Sequence, residues 1–159
     1  MYSTEDTKDY RFKSLSVNQI KTVFTVPENW KECPSNKNVF FCFYKESNAA
    51  YSPNMNAVIF PFQHEIGEYI EKKVSKVITD YNGELVYKSS NPFFPEKRNE
   101  LLMIRVRQES KEITFFSFVF KRGDYLVELN LSCESKEELF YEDLIKEMIV
   151  MTECENILL

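Results

Sequence analysis

The chain is 159 residues long, with 43% hydrophobic and 15% aromatic residues, which suits one domain with a sizeable core and is too little for two ordinary ones. A formal net charge of −5 argues against a general nucleic-acid binder, which sets clustered Lys and Arg against phosphates. No apolar run approaches the roughly 18 residues a membrane-crossing helix needs, and the first residues carry no hydrophobic signal segment, so the chain reads as cytoplasmic, without membrane insertion of its own.

Residues 1–13 are polar and aperiodic and are predicted to form a mobile tail, leaving 14–159 as a single domain. Residues 14–19 are ambiguous. Residues 21–26 (KTVFTV) read as a strand stopped by Pro27, with a turn at Glu28, Asn29 and Trp30. A second strand, 37–45, is apolar on both faces: Val39, Phe41 and Phe43 point one way, Phe40, Cys42 and Tyr44 the other. A polar loop at 46–53 leads to a third strand at 55–60, ended by Pro61.

The apolar period then changes from two to 3.6. Over 64–81, Ile66, Ile70, Val74, Val77, Ile78 and Tyr81 form a helical stripe, with Glu and Lys on much of the remaining surface. Asn82-Gly83 supplies a left-handed cap. A short strand at 84–88 and a loop at 89–99 follow; in that loop Phe93 and Phe94 are expected to tuck inward.

Residues 100–132 read as three antiparallel strands joined by two-residue turns at Glu109-Ser110 and Arg122-Gly123. The first turn sets Arg107 opposite Glu112; the second sets Lys121 opposite Asp124 and Phe118 opposite Val127. One face carries Leu101, Met103, Phe116, Phe118, Phe120, Tyr125, Val127, Leu129 and Leu131, broken by Arg105 and Thr114. The other carries Leu102, Ile104, Val106, Ile113, Phe115 and Val119, then turns polar at Ser117, Glu128 and Asn130. Ser135 and Glu138 form a capping-box pattern before a second helix at 136–152. The fold class is therefore α+β: an antiparallel sheet of about six or seven strands packed with two main helices.

This order of elements resembles the PsbP-like superfamily, especially its bacterial branch of DcrB-like and type VI secretion adaptor (Eag-type) proteins. Val26-Pro27 with Trp30, Gly123-Asp124-Tyr125 and the final helix carry the resemblance, which spans residues 20–152. It implies a curved sheet with helices around it, and binding rather than catalysis. The adaptor branch is similar in shielding apolar helices of secreted effectors on a sheet surface. The long polar N-terminus and the Phe cluster of the second strand depart from it.

Chemistry-bearing patterns are sparse. His64 is the only histidine and stands apart from any nucleophile motif. Cys33, Cys42, Cys133 and Cys154 lack CxxC spacing; they are expected to be reduced, with no metal, no cofactor and no disulfide needed for folding. The three glycines are isolated, so no phosphate-cradling loop exists. Glu128 is the least ordinary acid, central in an apolar strand, and is expected at an edge or in solvent. Arg105 and Arg107 form a small basic patch unless Glu112 engages Arg107.

The expected function is non-enzymatic protein binding, as an adaptor or chaperone holding an apolar helix of a secreted bacterial effector. The alternatives are an immunity protein neutralising a toxin, and a hydrolase whose carboxylates meet only in three dimensions. The partner is another protein, a homodimer being allowed. The predicted partner-binding residues are Leu102, Ile104, Val106, Ile113, Phe115, Ser117, Glu128 and Asn130, an apolar floor with a few polar groups. No catalytic residue is assigned.

Overall fold

The computed structural model describes residues 10–34, 39–48, 51–90 and 98–154. Strands β1 (Phe12–Val17), β2 (Thr22–Pro27), β3 (Lys31–Glu32), β4 (Val39–Tyr44) and β5 (Asn54–Pro61) precede helix α1 (Ile66–Tyr81). Then come β6 (Glu84–Ser90), β7 (Asn99–Gln108), β8 (Lys111–Arg122), β9 (Tyr125–Glu134), α2 (Glu138–Met151) and β10 (Glu153–Cys154). Seven of the strands form one antiparallel sheet in the order β3-β4-β5-β9-β8-β7-β6, and β1-β2-β10 form a smaller one. This is the α+β arrangement the sequence predicts, with the small sheet added. Residues 1–9 of the expected tail, and Phe93 and Phe94, lie outside the described residues. The end of that tail is strand: Phe12 and Lys13 pair with Pro27 and Val26.

The large sheet carries a hydrophobic core on each face. On one, Phe116, Phe118, Val127, Leu129 and Leu131 pack against Tyr141, Leu144, Ile145 and Met148 of α2 and against Phe24, Val26 and Trp30. On the other, Leu102, Ile104, Val119 and Leu126 meet Ile66 and Ile70 of α1. The alternation read from the sequence thus sorts the two cores, although the second hairpin has a different register. Arg122 pairs with Tyr125 and Phe118 with Leu129, so the turn is Gly123-Asp124 and no Lys121–Asp124 pair forms. Gly123 has φ +59°, and this left-handed first turn position favours glycine. The slip moves each partner by two residues, which preserves its face. In the first hairpin, Gln108 faces Lys111 and Arg107 faces Glu112 as predicted.

The polar interruptions of the α2-side face meet the start of α2. Arg105 Nε donates to Glu138 Oε2 at 3.0 Å and a second guanidinium nitrogen donates to Glu138 Oε1, while Thr114 Oγ1 donates to Glu138 at 2.6 Å. Ser135 Oγ lies 2.7 Å from Thr114 Oγ1. The expected capping box therefore does not form: Ser135 opens a 3-10 turn (Ser135–Glu137), and both its members turn to the sheet instead of the helix backbone. Arg105 is drawn into this pairing, and into one with Glu84 at 3.4 Å, rather than into a basic patch.

The hydrogen bonds from Arg105 hold the Glu138 carboxyl below its ordinary range, against the opposing effect of burial. A depressed folded-state value contributes stability above the unfolded pKa of about 4.3, and loses it as pH falls through the folded value. Urea denaturation of wild type and Glu138→Gln should accordingly show a stability gap at pH 7 that closes below about pH 4. A gap unchanged at low pH would mean the ionised pair is not its source.

The cysteines depart from expectation. Cys33 and Cys42 form a disulfide, because β3 and β4 bring them opposite one another with Cys33 N–H donating to Cys42 C=O at 2.9 Å. A cross-strand contact needs no CxxC spacing, which is why the sequence does not announce it. Cys133 is a free, fully buried thiol, and burial followed by the neighbouring Glu137, Glu138 and Glu134 pushes its ionisation up.

Candidate functional site

α1 leaves β5 near the β8–β9 turn, where Phe62 N–H donates to Asp124 C=O at 2.8 Å, and crosses to β6 at the far border. It ends with Asn82 in the left-handed conformation (φ 51°) and Gly83 N–H bonded to Val77 C=O at 3.0 Å. Gly83 lets the helix end approach the sheet: a Cβ there would lie 2.6 Å from Val77 Cγ1 and 3.0 Å from Arg105 O. Ile66 and Ile70 are buried, but Ile78 and Tyr81, expected to complete the stripe, are 51% and 53% exposed. Seven strands at ~4.8 Å spacing make a sheet roughly 29 Å wide. One helix, about 10 Å across, cannot cover that face.

Beside the C-terminal half of α1 the uncovered surface sinks into a groove of about 400 Å³. Lys73, Val77 and Tyr81, four residues apart on α1, form one wall. Ile104, Val106 and Phe115 supply an apolar floor, while Gln108, Ser117, Asn130 and Asn56 add polar groups. Five of the predicted binding residues therefore line one cavity: Ile104, Val106, Phe115, Ser117 and Asn130. Leu102 and Ile113 are fully buried and lie outside it, Leu102 packing in the α1 core.

Glu128 is neither at an edge nor solvated; it is 3% exposed on β9, in the middle of the sheet. One carboxylate oxygen accepts from Lys73 Nζ and the other from Tyr69 OH, residues one helical turn apart on α1. Burial first, then the charge of Glu128, pushes the Tyr69 phenol far up, so it stays a proton donor. Ser117 Oγ lies 3.3 Å from Glu128 Oε1 and donates to Asn130 Oδ1. Asn130 Nδ2 in turn donates to Asn56 Oδ1 at 3.1 Å. Polar contacts thus run from α1 across β9 and β8 to β5, where Asn56 lines the groove.

The sequence pattern assigns no binding role to Asn56, Lys73, Val77, Tyr81 or Gln108. A signal for Lys73 existed: a carboxylate central in an apolar strand requires a cation, and Tyr69 and Lys73 share one helical edge. His64 sits on the surface, 3.8 Å from Glu68, away from the groove. Among the described residues no cluster of His, Cys, Asp and Glu has metal-ligating geometry, and no helix is long and apolar enough to cross a membrane.

No family model matches the chain, and no curated protein does. Solved structures do. The cyanobacterial PsbP protein (CyanoP) of Synechocystis superposes with a TM-score of 0.73 over 96% of this chain and 97% of its own, at 13% identity. LpqN of Mycobacterium tuberculosis, described as involved in cell envelope biogenesis, gives 0.60 over 91% and 90%, at 11% identity. The Pseudomonas aeruginosa protein PA94 gives 0.61 over 89% and 95%, at 10% identity. At these identities the likeness concerns the fold alone: the chain has a PsbP-like fold.

Proposed function

We propose that this chain is a non-enzymatic binding domain whose groove beside α1 holds an apolar helix of a partner protein, in the manner of an adaptor for a secreted bacterial effector. The observation that carries the reading is the incomplete cover of the sheet: α1 shields β7 and β8 and leaves a trough with a greasy floor and a short amide ladder. A second helix laid parallel to α1 would fit there, its apolar side chains on Phe115, Val106 and Val77. The two carboxylates drawn onto the sheet argue against the hydrolase alternative, which needs a pair with opposed proton affinities. Glu128 is engaged by Lys73 and Tyr69, and Glu138 by Arg105.

A fluorescein-labelled 20-residue Leu/Ala helix with one central Gln serves as the probe in anisotropy titrations. Wild type should bind it saturably. Tyr81→Glu and Phe115→Asp should each weaken binding at least tenfold, about 1.4 kcal/mol or more, with melting temperatures within a few degrees of wild type. Val150→Asp, on α2 and 68% exposed, is the control and should bind unchanged. Equal affinity in all four proteins would sink the reading.

A further inference from the structure

We propose that the Cys33–Cys42 disulfide is a redox lock over the outer edge of β4, and that reducing it frees this edge to pair with β4 of a second copy of the chain. β4 reads VFFCFY: six apolar residues, four of them aromatic, with no charge, proline or glycine. Segments of this composition add readily to one another as strands. β4 lies one place in from the sheet border, and among the described residues its only strand cover on that side is β3.

That cover is slight. β3 has two residues, Lys31 and Glu32, both exposed, paired with Tyr44 and Phe43. A short, charged edge strand is an ordinary guard against strand addition. What holds the guard is the Cys33 N–H bond to Cys42 C=O, the disulfide beside it, and the buried Trp30 just before β3. The Lys31–Glu46 ion pair is mostly solvated and adds little. Both bridged cysteines are half-buried, within reach of a small reductant, whereas Cys133 is fully buried and out of reach.

The chemistry balances with a dithiol as co-reactant. One thiolate of the dithiol attacks a bridge sulfur, the S–S bond breaks, and the departing cysteine thiolate takes a proton. The second thiol then resolves the mixed disulfide. The protein gains two electrons and two protons, and the reductant leaves as its own disulfide. With β3 free to leave, the backbone groups of Cys42 and Tyr44 face outward, and an antiparallel second β4 satisfies them across a two-fold axis.

Light scattering and amide hydrogen exchange would be measured on the oxidised protein, the dithiothreitol-treated protein, and Cys33→Ser/Cys42→Ser. The oxidised protein should be monomeric at concentrations where the other two dimerise, the dimer dissociation constant falling at least tenfold. Changes in amide protection should be confined to β3 and β4. Phe40→Lys alters a side chain that is 41% exposed and should keep the reduced protein monomeric. The proposal is overturned by a reduced protein that stays monomeric, by an oxidised protein that dimerises equally, by loss of protection throughout the chain, or by a dimer that survives Phe40→Lys.

Discussion

Lys73→Met is expected to cost about 3 kcal/mol of stability, the loss typical of breaking a buried ion pair. Glu128 keeps only 4% of its side chain in contact with solvent and Lys73 keeps 22%, so removing the ammonium strands a carboxylate that water cannot reach. Tyr69 still donates to it, but one neutral hydrogen bond does not neutralise a buried charge. For a chain of this size such a loss lowers the melting temperature by roughly 6–12 °C. Lys73→Met/Glu128→Gln removes the charge and leaves a carbonyl for Tyr69, so it should recover most of the loss. Denaturant titrations of both variants decide the matter; if the double variant is no better than the single, the pair is not the source.

The second large effect falls in the opposite core. Phe118 is 1% exposed, lies between Leu101 and Leu129 on the neighbouring strands, and sits 5.3 Å from the Phe120 ring. Phe118→Ala leaves a ring-sized cavity that a sandwich closed by α2 and β2 cannot collapse, and about 3–5 kcal/mol should be lost. Ile104→Ser, at a position the sequence pattern assigns to partner binding, should also destabilise, because Ile104 is 2% exposed in the α1 core. Phe115, half-buried on the groove floor, is the position where binding and folding separate. A Phe118→Ala protein melting within a few degrees of wild type would contradict this view of the core.

Much of the fold was legible because alternation is insensitive to small register errors. The second hairpin differs from its sequence reading by two residues, yet each of Phe116, Phe118 and Leu129 lies in the core assigned to it. A slip of one residue would have reversed them all. Helix termini were less legible. Ser135 and Glu138 match a capping box in spacing, but Thr114 and Arg105, distant in sequence, compete for the same side chains. The disulfide was hidden for the same reason: its geometry depends on how β3 pairs with β4, not on cysteine spacing. The groove was half visible. Its sheet floor follows from the meander, whereas its helical wall depends on how α1 tilts across the strands, which periodicity does not specify.

The Asn56–Asn130 hydrogen bond also marks where the sheet joins late. β7, β8 and β9 are linked by two-residue turns, so their pairing closes small loops, but β5 reaches β9 only by joining residues 54–61 to 125–132. Chain closure over such separations is slow relative to hairpin formation. The meander can therefore assemble first, with β3, β4 and β5 docking afterwards as a flap along the β9 edge. The groove straddles that seam, with Asn56 on the flap and Asn130 on the meander. A guest bound there would touch both parts at once, so occupancy would slow the flap's detachment and lengthen the lifetime of the folded molecule.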